Sequence, residues 1–186
     1  MAEATVRPAE PSDAAEIARI QLVTWRAAYR DLLPAEVLDA LDAAEAEATW
    51  RHTIEQGPAR VFVASEGRWH VGFVAAGVSP QDDSAEADGT PVPDADRVAL
   101  VSTLLVEPRW GRRGHGGRLL AAAGEAMRAD GLARGISWVA EQDKASLGFW
   151  QRAGWTADGT VRTLDAGGRP LREVRLTGTL GFELES

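Results

Sequence analysis

The residues best equipped for chemistry stand together from Leu104 to Leu120, in the run Leu-Leu-Val-Glu-Pro-Arg-Trp-Gly-Arg-Arg-Gly-His-Gly-Gly-Arg-Leu-Leu. Four glycines among the seven residues 111–117 free the backbone to curl. Successive N–H groups can then point at one anion lying on the N-terminus of the following helix. Arg112, Arg113 and Arg118 add positive charge around it, and a diphosphate is the guest such a turn suits. Two familiar phosphate loops do not fit. A Walker loop ends in Gly-Lys-Ser/Thr, whereas Gly117 is followed by Arg118 and Leu119. A dinucleotide fingerprint begun at Gly114-His115-Gly116 would need its third glycine where Leu119 stands, and no acid follows at the expected distance.

The elements that must hold this turn can be read from periodicity. Ahead of it, residues 97–106 are apolar at nearly every position from Val98 to Leu105 except Ser102 and Thr103, the pattern of a central strand. Behind it, Leu119, Leu120, Ala123 and Met127 mark one face of a helix that ends at Gly131, and residues 136–140 form the next strand. This β-α-β unit should be parallel and right-handed. Upstream, residues 4–8 alternate as a short strand. Ser12 caps a helix whose face carries Ala18, Leu22, Trp25 and Tyr29. A second helix is expected from Pro34 to about Gln56, carrying Val37, Leu38, Leu41 and Trp50, and then strands at 61–63 and 69–78. A last helix spans about 144–152, and two strands near 155–164 and 171–180 close the chain. The order β-α-α-β-β-β-α-β-α-β-β predicts an α/β fold, a mixed sheet with helices on both faces, in one domain covering residues 1–186. Residues 80–96 hold three prolines and six acids without periodicity and are expected as an acidic flexible loop.

Composition narrows the classes of function. The chain has 186 residues, no cysteine and a formal charge of −8. Disulfides, thiolate metal sites and a cysteine nucleophile are excluded together. The acidic balance argues against a nucleic-acid binder. Three scattered histidines suggest no metal site, and no apolar run is long enough to cross a bilayer, so neither metal nor membrane is expected. Residues 1–12 lack a basic start followed by an apolar stretch, which points to a cytoplasmic location.

Two motifs then agree. Val106-x-Pro108 running into Arg112-Arg113-Gly114-x-Gly116 resembles the acyl-CoA-binding segment of the GNAT superfamily of N-acetyltransferases. Asp143-Lys144-Ala145-Ser146-Leu147-Gly148-Phe149-Trp150 with Gly154-Trp155 is similar to the signature of that family's last helix. The element order matches along nearly the whole chain. The resemblance implies acetyl-CoA as co-substrate, with the pantetheine arm along Leu104, Leu105 and Val106 where two parallel strands splay apart. It further implies pyrophosphate on the amides of Arg112, Arg113, Gly114, His115, Gly116 and Gly117, and cofactor contacts from Asp143, Ser146 and Trp150. It implies transfer of an acetyl group to a primary amine of a small molecule or peptide by direct attack, without an acyl-enzyme. The first helix lines the acceptor pocket in this family, which makes Trp25 and Tyr29 candidate substrate residues.

The sequence departs from the family pattern at four places. Gly111 stands where a Gln or Arg is usual, with Arg112 or Arg113 to compensate. Asp143 replaces an asparagine. Trp150 replaces a tyrosine that would protonate the thiolate, and an indole is no usable acid. Leu100 occupies the place of a common strand acid, which leaves Glu141, just beyond the neighbouring strand, as the candidate base. These losses also raise the alternative of a CoA-binding or sensing module with weak or no turnover. Seven tryptophans offer anchors for a homodimer interface.

Overall fold

Alternation and capping chemistry explain most of the elements in the computed structural model, which describes residues 3–181. The strands are β1 (Ala4–Pro8), β2 (Arg60–Glu66), β3 (Trp69–Val78), β4 (Val98–Val106), β5 (Arg134–Ala140), β6 (Thr156–Ala166) and β7 (Arg169–Thr179). They form one seven-stranded sheet in the order β1-β2-β3-β4-β5-β7-β6. All neighbours are antiparallel except β4 and β5. The helices are α1 (Ala14–Ala28), α2 (Ala35–Asp39), α3 (Ala43–Gln56), α4 (Gln81–Ser84), α5 (His115–Ala129) and α6 (Lys144–Arg152).

Two cores lie on opposite faces. On one, Leu119, Leu120, Ala123 and Met127 of α5 pack with Trp150 against Val74, Ala99, Val101, Val139 and Leu176 of the sheet. On the other, Ala14, Ile17, Ala18 and Ile20 of α1 and Trp50 of α3 cover Val61, Val63, Phe73 and Ala75. Each large side chain so buried contributes about 1.5–3 kcal/mol. Trp155, fully buried, packs over the paired Gly135 of β5 and Gly178 of β7. A Cβ placed at Gly135 or Gly178 would overlap its ring, which explains glycine at both positions.

The helix expected from Pro34 to Gln56 is two helices. Ala40 ends α2, and Asp42 turns into extended backbone (φ −102°, ψ 126°). Its carboxylate accepts the Glu45 N–H at 2.8 Å and so caps α3 afresh. The acidic segment 80–96 contains the single turn α4 and is tied to the sheet by arginines. Arg175 donates to the carbonyls of Asp83 and Ala85, Arg162 pairs with Asp83, and Arg134 pairs with Asp94.

The parallel pair carries the feature that positions the site. β4 and β5 are in register only at Val98↔Arg134, Ala99↔Gly135 and Leu100↔Ile136, and beyond these the strands diverge. A bulge contributes to the bend: β3 faces Thr103 from Ala75 and Val101 from Ala76, so Ser102 is the extra residue. At the vertex the buried Ser137 hydroxyl donates to Val101 O at 2.9 Å and replaces the first missing rung.

Candidate functional site

The glycine turn adopts the curled conformation that its composition predicts. Gly114 is left-handed (φ 80°) and so is Arg112 (φ 62°), the non-glycine residue with positive φ among those described. Strain at a non-glycine position is characteristic of ligand-holding loops. Gly111 N–H closes a turn on Pro108 O and Arg118 N–H closes on Gly114 O. Between them, the six N–H groups from Arg112 to Gly117 donate to no protein group among the described residues. They form a nest of donors at the N-terminus of α5, where the helix dipole adds positive potential.

The side chains of the turn divide the labour. Arg113 is bound to Glu66 at 2.8 Å and lies over Trp110. The buried His115 sets its Nε2 2.8 Å from the other Glu66 oxygen. His115 and Arg113 together hold the Glu66 carboxyl below the usual carboxylate range. Arg118 donates to Arg113 O and clamps the curl from inside. Among the described residues Arg112 makes no hydrogen bond or ion pair, and its side chain is exposed on the turn. Gly116 lies against Phe149 of α6, where a Cβ would come within 2.9 Å of the ring.

The strand leading into the turn offers its own donors. Glu107 N–H donates to Val71 O on β3, so strand alternation turns the N–H groups of Val106 and Leu104 the other way, into the gap left by β5. The Leu104 and Val106 side chains pack on the α5 face and Leu105 on the α1 face. An extended chain laid in the gap therefore meets unpaired backbone donors along one wall, and a diphosphate meets the nest at its end. The residues present fit the co-substrate that the motifs imply.

The remaining residues singled out from the sequence are distributed unevenly around the gap. Asp143 caps α6, with Oδ1 accepting Ser146 N–H at 3.0 Å and Oδ2 accepting its hydroxyl at 2.7 Å. Trp150 is buried against Trp155, with ring centroids 4.6 Å apart, and belongs to the α5-side core. Glu141, at the open end of β5, sits 3.2 Å from the Arg172 guanidinium and is half exposed. Trp25 lines a groove of about 300 Å³ between α1 and α3. One turn further along, Tyr29 meets it edge-on. Burial, and then the negative charges of Asp143 and Glu173, push the Tyr29 phenol up to about 12, so its electrostatic neighbours are residues of the opening.

A cavity of about 130 Å³ opens beside Leu100, lined by Val101, Ser102, Trp138, Asp83, Arg162 and Glu173. Sequence reasoning singled out none of the last four individually: Asp83 comes from α4 within the acidic segment, Trp138 from β5, Arg162 from β6 and Glu173 from β7. The one local signal was the polar break at Ser102-Thr103 in an apolar strand, which marks the bulge. Among the described residues, no group of three or more His, Asp or Glu could hold a metal ion, and no helix is long and apolar enough to cross a membrane.

A parallel strand pair splayed over a nest of amides defines a fold and site of the acyl-CoA-binding kind, and comparison with known proteins agrees. The acetyltransferase (GNAT) family profile matches residues 22–155. The uncharacterized N-acetyltransferase YuaI of Bacillus subtilis (strain 168) is 31% identical over 148 residues, which cover 79% of this chain and 77% of that protein. The PaiA N-acetyltransferase of Thermoplasma acidophilum, solved with coenzyme A, superposes with a TM-score of 0.68 at 15% identity, covering 92% of this chain and 98% of its own. YncA of Salmonella typhimurium, solved with acetyl-CoA, gives 0.69 at 18% identity, covering 99% and 98%. The chain belongs to the acetyltransferase (GNAT) family. It is an acyl-CoA-dependent N-acetyltransferase with acetyl-CoA as its co-substrate.

Proposed function

We propose that this protein transfers the acetyl group of acetyl-CoA directly to a primary amine that enters at the divergence of β4 and β5. The observation that carries the reading is the continuity of free donors. Leu104 and Val106 offer N–H groups to the gap, and the six amides from Arg112 to Gly117 follow at its end. Acetyl-CoA supplies the activated thioester. The chain's own contribution is placement: the amides fix the diphosphate and the pantetheine arm, and an N–H of β4 polarises the carbonyl that the amine attacks. Arg112, unpartnered and strained, reaches for the diphosphate or the adjoining phosphate. Asp143 and Ser146 act through the cap that positions α6 against the turn, and Trp150 acts by packing.

No cysteine exists to carry the acetyl group, which supports attack in one step. The amine must shed a proton before it attacks. Glu141 at the mouth and Glu173 within the cavity beside Leu100 are the carboxylates available to receive it through water. Burial of Trp150 leaves the departing thiolate to be protonated from solvent, a modest loss for so good a leaving group. Val161 and Leu164, exposed on the edge strand β6, support pairing of two copies through that edge.

The test is release of free thiol from acetyl-CoA across a panel of amines, run beside a thermal-shift titration with acetyl-CoA, desulfo-CoA and ATP on the wild type, Gly114→Trp and Gly116→Trp. Stabilisation by both CoA compounds but not ATP, lost in both variants, with amine-dependent thiol release, is the expected result. Tight CoA binding with no thiol released by any amine would leave a binding module instead.

A further inference from the structure

We propose that the cavity beside Leu100 is the acceptor subsite and that it selects a slender primary alkylammonium ion, held by Asp83 and Glu173 against the ring of Trp138. The inference rests on the acetyl-transfer reading above and adds the class of acceptor to it.

Position comes first. Leu100 belongs to the last residue pair before β4 and β5 part, and Val101 and Ser102 begin the gap, so an amine in this cavity faces the point where the gap opens. Leu100 itself offers no charge. Two carboxylates arrive around it from elsewhere, Asp83 from α4 and Glu173 from β7, where Glu173 is in register with Ala140 of β5.

Charge decides the class. Arg162 spans the two acids, with Nη1 2.9 Å from Asp83 Oδ1 and Nε 2.8 Å from Glu173 Oε1. Trp138 Nε1–H also donates to Asp83 Oδ1, at 3.0 Å. The nearby Arg175 is matched by Asp158 at 2.6 Å and does not neutralise the pair. Two carboxylates against one guanidinium leave the cavity one negative charge in excess. Among the described residues, no hydrogen bond reaches Asp83 Oδ2 or Glu173 Oε2. An ammonium ion brings one positive charge and three N–H donors, which is the complement of that deficit. The Trp138 ring already receives Arg162 at 4.3 Å and Arg175 at 5.7 Å, so it is a face that accepts cations.

Size narrows the class further. A volume of about 130 Å³ equals roughly four waters, enough for an unbranched aminoalkyl group and too little for a bulky ring system. Desolvating Asp83 and Glu173 without a cation would be costly, so a neutral isostere should be rejected.

The experiment follows the indole N–H resonance of Trp138 in the full chain saturated with acetyl-CoA, titrated with n-butylamine, n-butanol, glycine and tert-butylamine. A mixture without amine sets the baseline for thiol release. We expect n-butylamine to shift the resonance and the other three to bind at least about tenfold more weakly. Glu173→Gln and Asp83→Asn should each weaken n-butylamine about tenfold while acetyl-CoA affinity stays within twofold. Arg162→Met should do the opposite and tighten n-butylamine, because it leaves two uncompensated acids. A merely structural Arg162 would loosen the site, so this variant keeps the test decisive where Asp83→Asn fails to fold. Equal binding of n-butanol, preference for glycine, or an unchanged affinity in Glu173→Gln overturns the proposal. Binding of n-butylamine with the expected variant pattern but no thiol release would instead refute transfer to such amines and leave the subsite standing.

Discussion

Replacing Arg112 by glycine should make the protein more stable and a poorer binder of acetyl-CoA, two effects of opposite sign from one substitution. Arg112 holds φ 62° without a compensating hydrogen bond or ion pair from its side chain. An L-residue in that region costs about 1–2 kcal/mol. Glycine removes the cost but loses about 0.5–1 kcal/mol through its freer unfolded chain. The difference of the two ranges is about 0–1.5 kcal/mol, centred on about 0.75 kcal/mol in favour of the variant, which for a chain of this size raises Tm by about 1.5–3 °C. Against this, the Arg112 guanidinium has no hydrogen bond or ion pair among the described residues and is available to a phosphate. A charged hydrogen bond to a phosphate is worth about 1.5–3 kcal/mol, and at an exposed, screened position the lower end applies, or about tenfold in Kd. Calorimetric titration with acetyl-CoA and thermal unfolding without ligand measure the two quantities separately. A variant that melts below the wild type while binding acetyl-CoA equally well would refute both the strain and the assignment of the turn.

Three further outcomes follow from the geometry. Ser137→Ala removes the hydroxyl that caps Val101 O at the vertex and should cost about 1–3 kcal/mol, read as a lower urea midpoint with unchanged slope. Asp13, buried and bonded to Arg7 at 2.8 Å, has its carboxyl held below the usual range chiefly by that guanidinium. A depressed folded pKa gives stability that is complete above pH about 4 and lost as pH falls through the folded value. Asp13→Asn should therefore be less stable at pH 7 and lose less on acidification, which urea unfolding at the two pH values checks. Tyr29 is the single tyrosine, so phenolate absorbance reports it alone. The midpoint should lie near 12, and Glu173→Gln should lower it, since Glu173 is one of the charges that raise it.

Where the candidate site is built from contiguous residues, its conformation was legible in the sequence. The nest from Arg112 to Gly117 lies within one short run, and its glycines express backbone freedom directly. The strand–helix–strand unit around the turn was legible for the same reason. The cavity proposed for the acceptor was not, because Asp83, Trp138, Arg162 and Glu173 meet only after β6 and β7 fold back against β5. Charge alone could not separate Glu173 from Glu141, since register, not composition, points one into the cavity and the other toward Arg172. The break between α2 and α3 escaped notice because Asp42 reads equally well as a solvated helical acid or as a cap. Trp150, expected as a cofactor contact from its motif position, is buried against Trp155, a packing partner that the spacing of the motif does not reveal.

The short parallel ladder has a mechanical consequence. Along the seam, three residue pairs, the Ala133 N–H to Arg97 O bond that precedes them and one serine hydroxyl join a four-stranded ladder, β1 to β4, to a three-stranded one, β5 to β7. Rigidity across the middle of the sheet is thus borrowed from what fills the gap. A bound pantetheine arm would serve as the missing stretch of strand, and amide exchange in the outer halves of β4 and β5 would slow when it is seated. On that placement the protein would carry its reactant as a temporary structural member, released and replaced at each turnover.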